Sequence, residues 1–296
     1  MKRSSLAWYV GVACLGGSLC IGSVVQANSP TTVKASSIGP TAVTTQAEQA
    51  ALKQKQQYQA DTETMGLLWM RTSAEYRALA YQGYNVAMNL VKMAGADPSH
   101  QRKPLAIVLD ADETVVDNTK LMGESIANGN GRFDAPWWRQ AVHQGKSQAM
   151  PGAVEFLNEV HKQGVEIFYV SNRYAPVNYD ATVQNFKKLG FPSVDKEHVL
   201  LFEKDSDKQP RFDAIAKKYS VVLYMGDNAG DFPIGTKGKT LAERNGIIDA
   251  HKEDFGTTFV VFPNPAYGSW VSALAKGYQN LSPEEQKQVN NQYLQQ

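Results

Sequence analysis

The chain has 296 residues, 43% of them hydrophobic and 20% charged, and its 30 Lys+Arg nearly balance 29 Asp+Glu. No broad basic field exists to hold nucleic acid, which argues against a polyanion-binding protein and suits an enzyme of small molecules. Both cysteines, Cys14 and Cys20, lie in an N-terminal segment that reads as removable, so the remaining chain has no disulfide, thiolate nucleophile or cysteine-ligated metal.

Lys2 and Arg3 form a positive start, the run from Leu6 to Val25 is mostly apolar or small, and Val25-Gln-Ala27 has the small-residue pattern of a cleavage site. Residues 1–27 are therefore read as an export signal, placing the protein in the periplasm or outside the cell, with possible association to an outer membrane. An uncleaved anchor is the competing reading, because the apolar part is near the length of a membrane span. Lipid attachment is a weaker one, since neither cysteine has a Leu-x-Gly/Ala-Cys context. Removing the segment takes two of the 30 Lys+Arg and none of the 29 Asp+Glu, leaving a formal charge of minus one.

Residues 28–60, with Thr-Thr-Val, Ser-Ser and the Gln-rich run Gln54 to Gln57, read as a flexible tether leading into a helix. From residue 61 onward about 235 residues remain, enough for one substantial domain. Within 61–97, Leu67, Leu68, Met70, Tyr76, Leu79, Ala80, Tyr84, Ala87, Leu90 and Val91 recur at helical spacing and predict one or two long helices whose aromatic stripe packs as core.

Leu105-Ala-Ile-Val-Leu-Asp-Ala-Asp-Glu-Thr114 is the most informative stretch, because an apolar run fit for a strand covered on both faces stops abruptly at Asp110 and Asp112. Two carboxylates at one strand tip repel each other. They imply a Mg²⁺ site, an acid/nucleophile couple, or both. An insertion follows over 118–150, with Gly129-Asn-Gly-Arg-Phe-Asp-Ala-Pro-Trp-Trp138, too glycine-rich and too short for a large folded cap. Pro151-Gly opens a helical pattern that stops at Gly164. Val165 to Val170 then reads as a second buried strand ending at Ser171-Asn-Arg173. Helices are predicted over about 178–189 and 208–219. Val221 to Met225 forms a strand ending at Gly226-Asp227, and Thr257 to Phe262 forms another ending at Pro263. Alternation of this kind predicts an α/β fold with right-handed crossovers and a parallel sheet, its polar residues gathered at the carboxyl ends of the strands.

One rim would therefore carry Asp110, Asp112, Ser171, Asp227 and Asp231. An Asp-x-Asp-x-Thr tip, a later strand ending in Ser, an intervening Lys and a Gly-Asp-x-x-x-Asp, in that order, resemble the haloacid dehalogenase (HAD) superfamily of phosphotransferases. Ser171-Asn-Arg173, Lys208-Gln-Pro-Arg-Phe212, Gly226-Asp-Asn-Ala-Gly-Asp-Phe232 and the helix Leu68-Trp-Met-Arg-Thr-Ser-Ala-Glu-Tyr-Arg-Ala-Leu79 resemble its class C nonspecific acid phosphatases, which include bacterial outer-membrane acid phosphatases and 5'-nucleotidases. The resemblance spans about residues 62 to 272. It implies a HAD-like Rossmannoid sheet flanked by helices, with a small helical domain built from the leading helices and the insertion.

The resemblance also implies roles. Asp110 would be the nucleophile that becomes an aspartyl-phosphate, and Asp112 the general acid and base beside the leaving oxygen. Mg²⁺ would be held by Asp110, Asp227 and the backbone carbonyl of Asp112, with Asp231 binding through water or orienting the groups that touch the ion. Ser171 and Lys208 would bind the phosphoryl oxygens. Trp138 and Tyr267, with Asn172 and Arg173, would line the substrate mouth, the two aromatic rings sandwiching a nucleotide base with little discrimination among bases. The expected substrates are phosphate monoesters, nucleoside monophosphates among them, hydrolysed with an acidic optimum. The family and the exposed aromatic helices suggest a homodimer.

Other readings of the same residues stay open. A strand-end aspartate often only caps a helix, Lys204 and Lys217 compete with Lys208, and loop aromatics often pack over loops. Arg173 either guides anionic substrates or pairs with a carboxylate. Asp117 and Asn118 read as caps of the helix after the first loop, and Arg211 as an anchor of its own helix. A metal-dependent glycosyltransferase also uses Asp-x-Asp, but it would not need Ser171, Lys208 and Gly226-Asp-x-x-x-Asp231 in this order. A non-catalytic storage or surface-binding protein on the same scaffold is the other alternative, and loss of Asp110 would have been its sign.

Overall fold

A computed structural model describes residues 45–100, 102–129 and 135–295. The expected signal, most of the tether and the centre of the glycine-rich insertion lie outside the described residues. Helix α1 (Gln46–Thr72) starts inside the segment assigned to the tether, so that assignment is corrected: Ala, Gln, Lys and Glu are strong helix formers, and Thr45 with Glu48 closes a capping box. Ser73 ends α1 and caps α2 (Ala74–Ala96), its hydroxyl accepting from the Tyr76 N–H at 3.1 Å. Two helices thus arise from one continuous apolar pattern. Among the described residues, no helix is long and apolar enough to cross a membrane.

Seven strands follow among the described residues: β1 (Leu105–Leu109), β2 (Val116–Asp117), β3 (Gln148–Ala149), β4 (Glu166–Tyr174), β5 (Val199–Phe202), β6 (Ser220–Gly226) and β7 (Phe259–Val261). Five form one parallel sheet in the order β5-β4-β1-β6-β7, with β1 at its centre. The period of two sorts β1 cleanly. Ile107 and Leu109 enter the core shared with α2, α5 (Ala153–Lys162) and α6 (Ala175–Lys188), while Ala106 and Val108 enter the opposite core with Phe212 and Ile215 of α7 (Gln209–Lys218). On α2 the predicted stripe of Tyr76, Ala80, Tyr84, Ala87 and Val91 is buried against the sheet.

β2 and β3 pair antiparallel and clamp the two ends of the insertion. Between them lie α3 (Thr119–Ala127), packed on α1, and α4 (Ala135–His143), packed on α6. Two further expectations need adjustment: β4 runs on through Ser171 to Tyr174, and the last strand is confined to Phe259–Val261. The chain closes through α8 (Leu241–Ala250), α9 (Ser269–Ala273) and α10 (Pro283–Leu294), which sequence periodicity did not reveal.

Candidate active site

The carboxyl ends of β1, β4 and β6 meet at one rim. Asp110 follows β1 directly, its N–H donating to Met225 O of β6 at 2.9 Å. Asp227 follows β6 in the same way, and Asp231 closes a single 3-10 turn over Ala229–Asp231 whose cap is Asn228. The Asp231 carboxylate accepts the Asn228 N–H at 2.8 Å. Gly226 makes this fold-back possible, because a Cβ there would overlap the Asp231 side chain.

One carboxylate oxygen from each of Asp110, Asp227 and Asp231 lies within 4.8 Å of the others. Lys208, at the N-cap of α7, puts its ammonium between two of them: it donates to Asp110 and sits 2.7 Å from Asp231 Oδ1. Lys204 and Lys217 make no such contact in the structure. Three carboxylates against one ammonium leave two negative charges uncompensated. Burial pushes the Asp110 carboxyl up to about 7, Lys208 opposing the rise and Asp231 and Asp112 adding to it. Asp227 is raised well above the usual range by burial first, then by Asp231 and Asp110. Burial works against the Lys208 charge, but Asp110 and Asp231 outweigh it and hold the ammonium above its ordinary value. The site therefore fits a divalent cation: its donors are all carboxylate oxygens, they converge from separate segments, and their surplus charge equals that of one such ion.

Asp112 lines the same cleft, but its carboxylate is taken by Arg173, whose Nη2 lies 2.6 Å from Oδ1. Of the two roles open to Arg173, the structure takes carboxylate pairing: the side chain is 1% exposed and does not line the cleft. Asn118 departs from its expected role. It makes no side-chain cap bond and instead donates from Nδ2 to Asp112 Oδ1 at 2.8 Å, while Asp117 bonds the Thr119 N–H at 2.8 Å. Both ends of the Asn118 amide are engaged away from α3, Nδ2 by Asp112 Oδ1 at 2.8 Å and Oδ1 by the Ser147 hydroxyl at 2.5 Å.

Ser171 is buried within β4, three residues before its end, and its Oγ accepts the Arg173 N–H at 3.1 Å. Its neighbour Asn172 lines the cleft. Arg211 anchors more than its own helix, bonding Ser171 O at 2.7 Å and Asn172 Oδ1 at 2.8 Å. Trp138 and Tyr267 both line the cleft mouth together with Asn228. Trp138 is also packed with Leu121, Ala141 and Val142, so part of its surface is committed to the insertion. Tyr267 donates its hydroxyl to Glu113, a fully buried residue whose φ of 56° places it in the left-handed region.

Glu113 and Asn264 escaped sequence reasoning as site residues. Asn264 donates to Asp227 Oδ2 at 2.7 Å, and Glu113 accepts the Asn118 N–H at 2.9 Å. Glu113 sits inside the Asp-x-Asp-x-Thr stretch, and its place beside the second aspartate was the available signal. Asn264 lies three residues before Tyr267 and carried no comparable sign.

Residues 23–270 match the family described as HAD superfamily, subfamily IIIB (acid phosphatase). A solved structure of the class C acid phosphatase from Bacillus anthracis is 35% identical in sequence, with a TM-score of 0.73 over 79% of this chain and 97% of that one. A second structure of the Bacillus anthracis class C enzyme, with tungstate bound, is 36% identical with a TM-score of 0.74 over the same shares.

Proposed function

The chain belongs to the acid phosphatases of HAD superfamily subfamily IIIB, and on that premise we propose that it is an exported, Mg²⁺-dependent phosphomonoesterase working through an aspartyl-phosphate on Asp110. The observation that carries this reading is the convergence of Asp110, Asp227 and Asp231 within 4.8 Å beside the buried ammonium of Lys208. Tungstate, a mimic of phosphate, binds the Bacillus anthracis relative. In this chain the ammonium of Lys208 beside the carboxylates suits a tetrahedral oxyanion.

Mg²⁺ held by Asp110, Asp227 and Asp231, with the Asp112 backbone carbonyl, would neutralise phosphoryl charge and keep the attacking carboxylate ionised. The free oxygen of Asp110 attacks phosphorus in line as the ester oxygen leaves. Lys208 and the Ser171 hydroxyl hydrogen bind the equatorial oxygens, over which charge spreads in the transition state. Asp112 gives its proton to the leaving oxygen, then takes one from the water that opens the aspartyl-phosphate, which restores the Asp110 carboxylate and the protonated Asp112. Tyr267 and Trp138 at the mouth suit a flat nucleoside base, and Asn172 its sugar. This supports nucleoside monophosphates of mixed base among the substrates. The exposed Met65, Leu68, Leu79, Tyr81 and Met93 on α1 and α2 support a homodimer. Export rests on the composition of residues 1–27.

Release of phosphate from p-nitrophenyl phosphate and from a nucleoside monophosphate, measured with Mg²⁺ and with a chelator, tests the proposal. Turnover should require the metal and disappear in Asp110→Asn while the fold persists. Equal rates with and without chelator would remove the cation, and an active Asp110→Asn would remove the nucleophile.

A further inference from the structure

The carboxylate of Asp112 is held unusually completely for a group that must give up and recover a proton. Oδ1 receives three donors: Asn118 Nδ2 at 2.8 Å, Arg173 Nη2 at 2.6 Å and Arg173 Nε at 3.1 Å. Oδ2 receives only a share of Arg173 Nε, also at 3.1 Å. The two holders are themselves fixed. Arg173 Nη1 donates to Thr182 Oγ1 of α6 at 3.3 Å, and its guanidinium lies 5.7 Å from the centroid of the Phe186 ring. Asn118 Oδ1 accepts from Ser147 Oγ at 2.5 Å, and the backbone oxygen of Ser147 accepts from Asn185 Nδ2 of α6 at 3.2 Å. A ring of bonds therefore runs from Asp112 through Arg173 to α6 and back through Ser147 and Asn118. Arg173, Asn118, Thr182, Ser147 and Asn185 are all buried.

We infer that Arg173 and Asn118 are positioning residues that fix Asp112 so that Oδ2, and not Oδ1, is the oxygen that passes the proton to the leaving group. An oxygen already receiving three N–H donors has no lone pair well placed for a proton. Oδ2 keeps that capacity. A second consequence concerns rotation: a bidentate guanidinium locks the plane of a carboxylate, so the acidic oxygen is set before substrate arrives rather than searched for afterward. The buried arginine next to the phosphate site thus acts on the acid, not on the phosphate. This inference rests on the general acid role proposed for Asp112.

The test uses the Mg²⁺-loaded enzyme and a series of aryl and alkyl phosphate monoesters of rising leaving-group pKa. The reading is kcat/KM, which reports steps up to transfer of the phosphoryl group to Asp110. Poor leaving groups need protonation and p-nitrophenolate hardly does, so Asp112→Asn should lose far more on alkyl esters than on p-nitrophenyl phosphate. Arg173→Met and Asn118→Ala should show the same steepening in weaker form, with losses growing about tenfold or more across the series, and Arg173→Lys should recover part of it. If Arg173→Met does not fold, Asn118→Ala and Thr182→Val carry the same reading. A steep Asp112→Asn with losses in Arg173 and Asn118 variants that are uniform for every ester, or confined to KM, overturns the positioning role alone. A flat series in Asp112→Asn overturns the acid role and this inference with it.

Discussion

Lys208 Nζ lies 2.7 Å from Asp231 Oδ1 and simultaneously donates to Asp110, so a single ammonium joins the proposed nucleophile to a second member of the carboxylate cluster. Breaking a buried ion pair from one side leaves carboxylates without their counter-charge and costs about 3 to 5 kcal/mol of stability. Removing one donor to the phosphoryl oxygens raises a barrier by about 3 to 4 kcal/mol. Lys208→Met should therefore lower both Tm and kcat, the latter by about two to three orders of magnitude, and should weaken inhibition by inorganic phosphate. Saturating Mg²⁺ should recover part of the Tm and none of the kcat. A variant that keeps phosphate inhibition at wild-type strength would show that Lys208 is a structural counter-ion only.

The same cluster makes stability depend on pH, and the direction follows from Asp110. Its folded value is about 7 against a reference of 3.8, so the folded protein without a divalent ion binds a proton that the unfolded chain releases. That contribution is complete below about pH 4 and is lost as pH rises through 7, and Asp227, raised for the same reasons, adds to the loss. Mg²⁺ competes with these protons. The rise in Tm on replacing chelator with Mg²⁺ should accordingly be larger at about pH 7.5 than at about pH 5, which differential scanning fluorimetry can measure. An equal or larger rise at the lower pH would mean that the ion binds elsewhere.

Gly226 offers a steric test of the cluster. A Cβ built on its backbone falls within overlap of the Asp231 Cβ and carboxyl group, so neither can stay in place. Gly226→Ala should cost about 1 to 3 kcal/mol, as overpacking does, and should lower Mg²⁺ affinity measured by titration calorimetry. Gly230→Ala is the control. Its added Cβ would meet nothing closer than Asn228 Oδ1 at 3.8 Å, an ordinary contact, so it should leave affinity unchanged. Matching losses in both variants would attribute the effect to the loop backbone instead of Asp231.

Strand β1 was legible because both of its faces are covered: Ala106 and Val108 feed one core, Ile107 and Leu109 the other, so the apolar run stops where the cover stops. Asp227 and Asp231 were legible for a related reason, as a glycine and two acids after another such run. β5 was not, because Val199–Phe202 is a four-residue edge strand whose identity depends on pairing with β4. Nor was α8, where Arg244 is the buried residue and no apolar stripe marks a face. Arg173 with Asp112, and Asn118 with Ser147, are separated by 61 and 29 residues. No local pattern brings such pairs together, so spacing could offer Arg173 two roles without choosing between them.

The mouth of the cleft separates stacking from packing through Tyr267. Its hydroxyl is tied to Glu113, which also accepts the Asn118 N–H, so the ring is held to the loop that carries Asp112. Tyr267→Phe keeps the ring and removes the tie, whereas Tyr267→Ala removes both. If the ring stacks on a base, it contributes about 1 to 3 kcal/mol per base. Tyr267→Ala should then raise KM for nucleoside monophosphates about tenfold while changing that for p-nitrophenyl phosphate little, and Tyr267→Phe should fall between it and wild type. Trp138 is a less clean probe, because it is 6% exposed and packed with Leu121, Ala141 and Val142. Trp138→Ala should raise KM for nucleotides and also lower Tm, since emptying a buried aromatic site costs about 3 to 5 kcal/mol. A proportional rise in KM for nucleotides and p-nitrophenyl phosphate in Tyr267→Ala would assign the ring to holding the Glu113 loop, and the preference for nucleotides would need another origin.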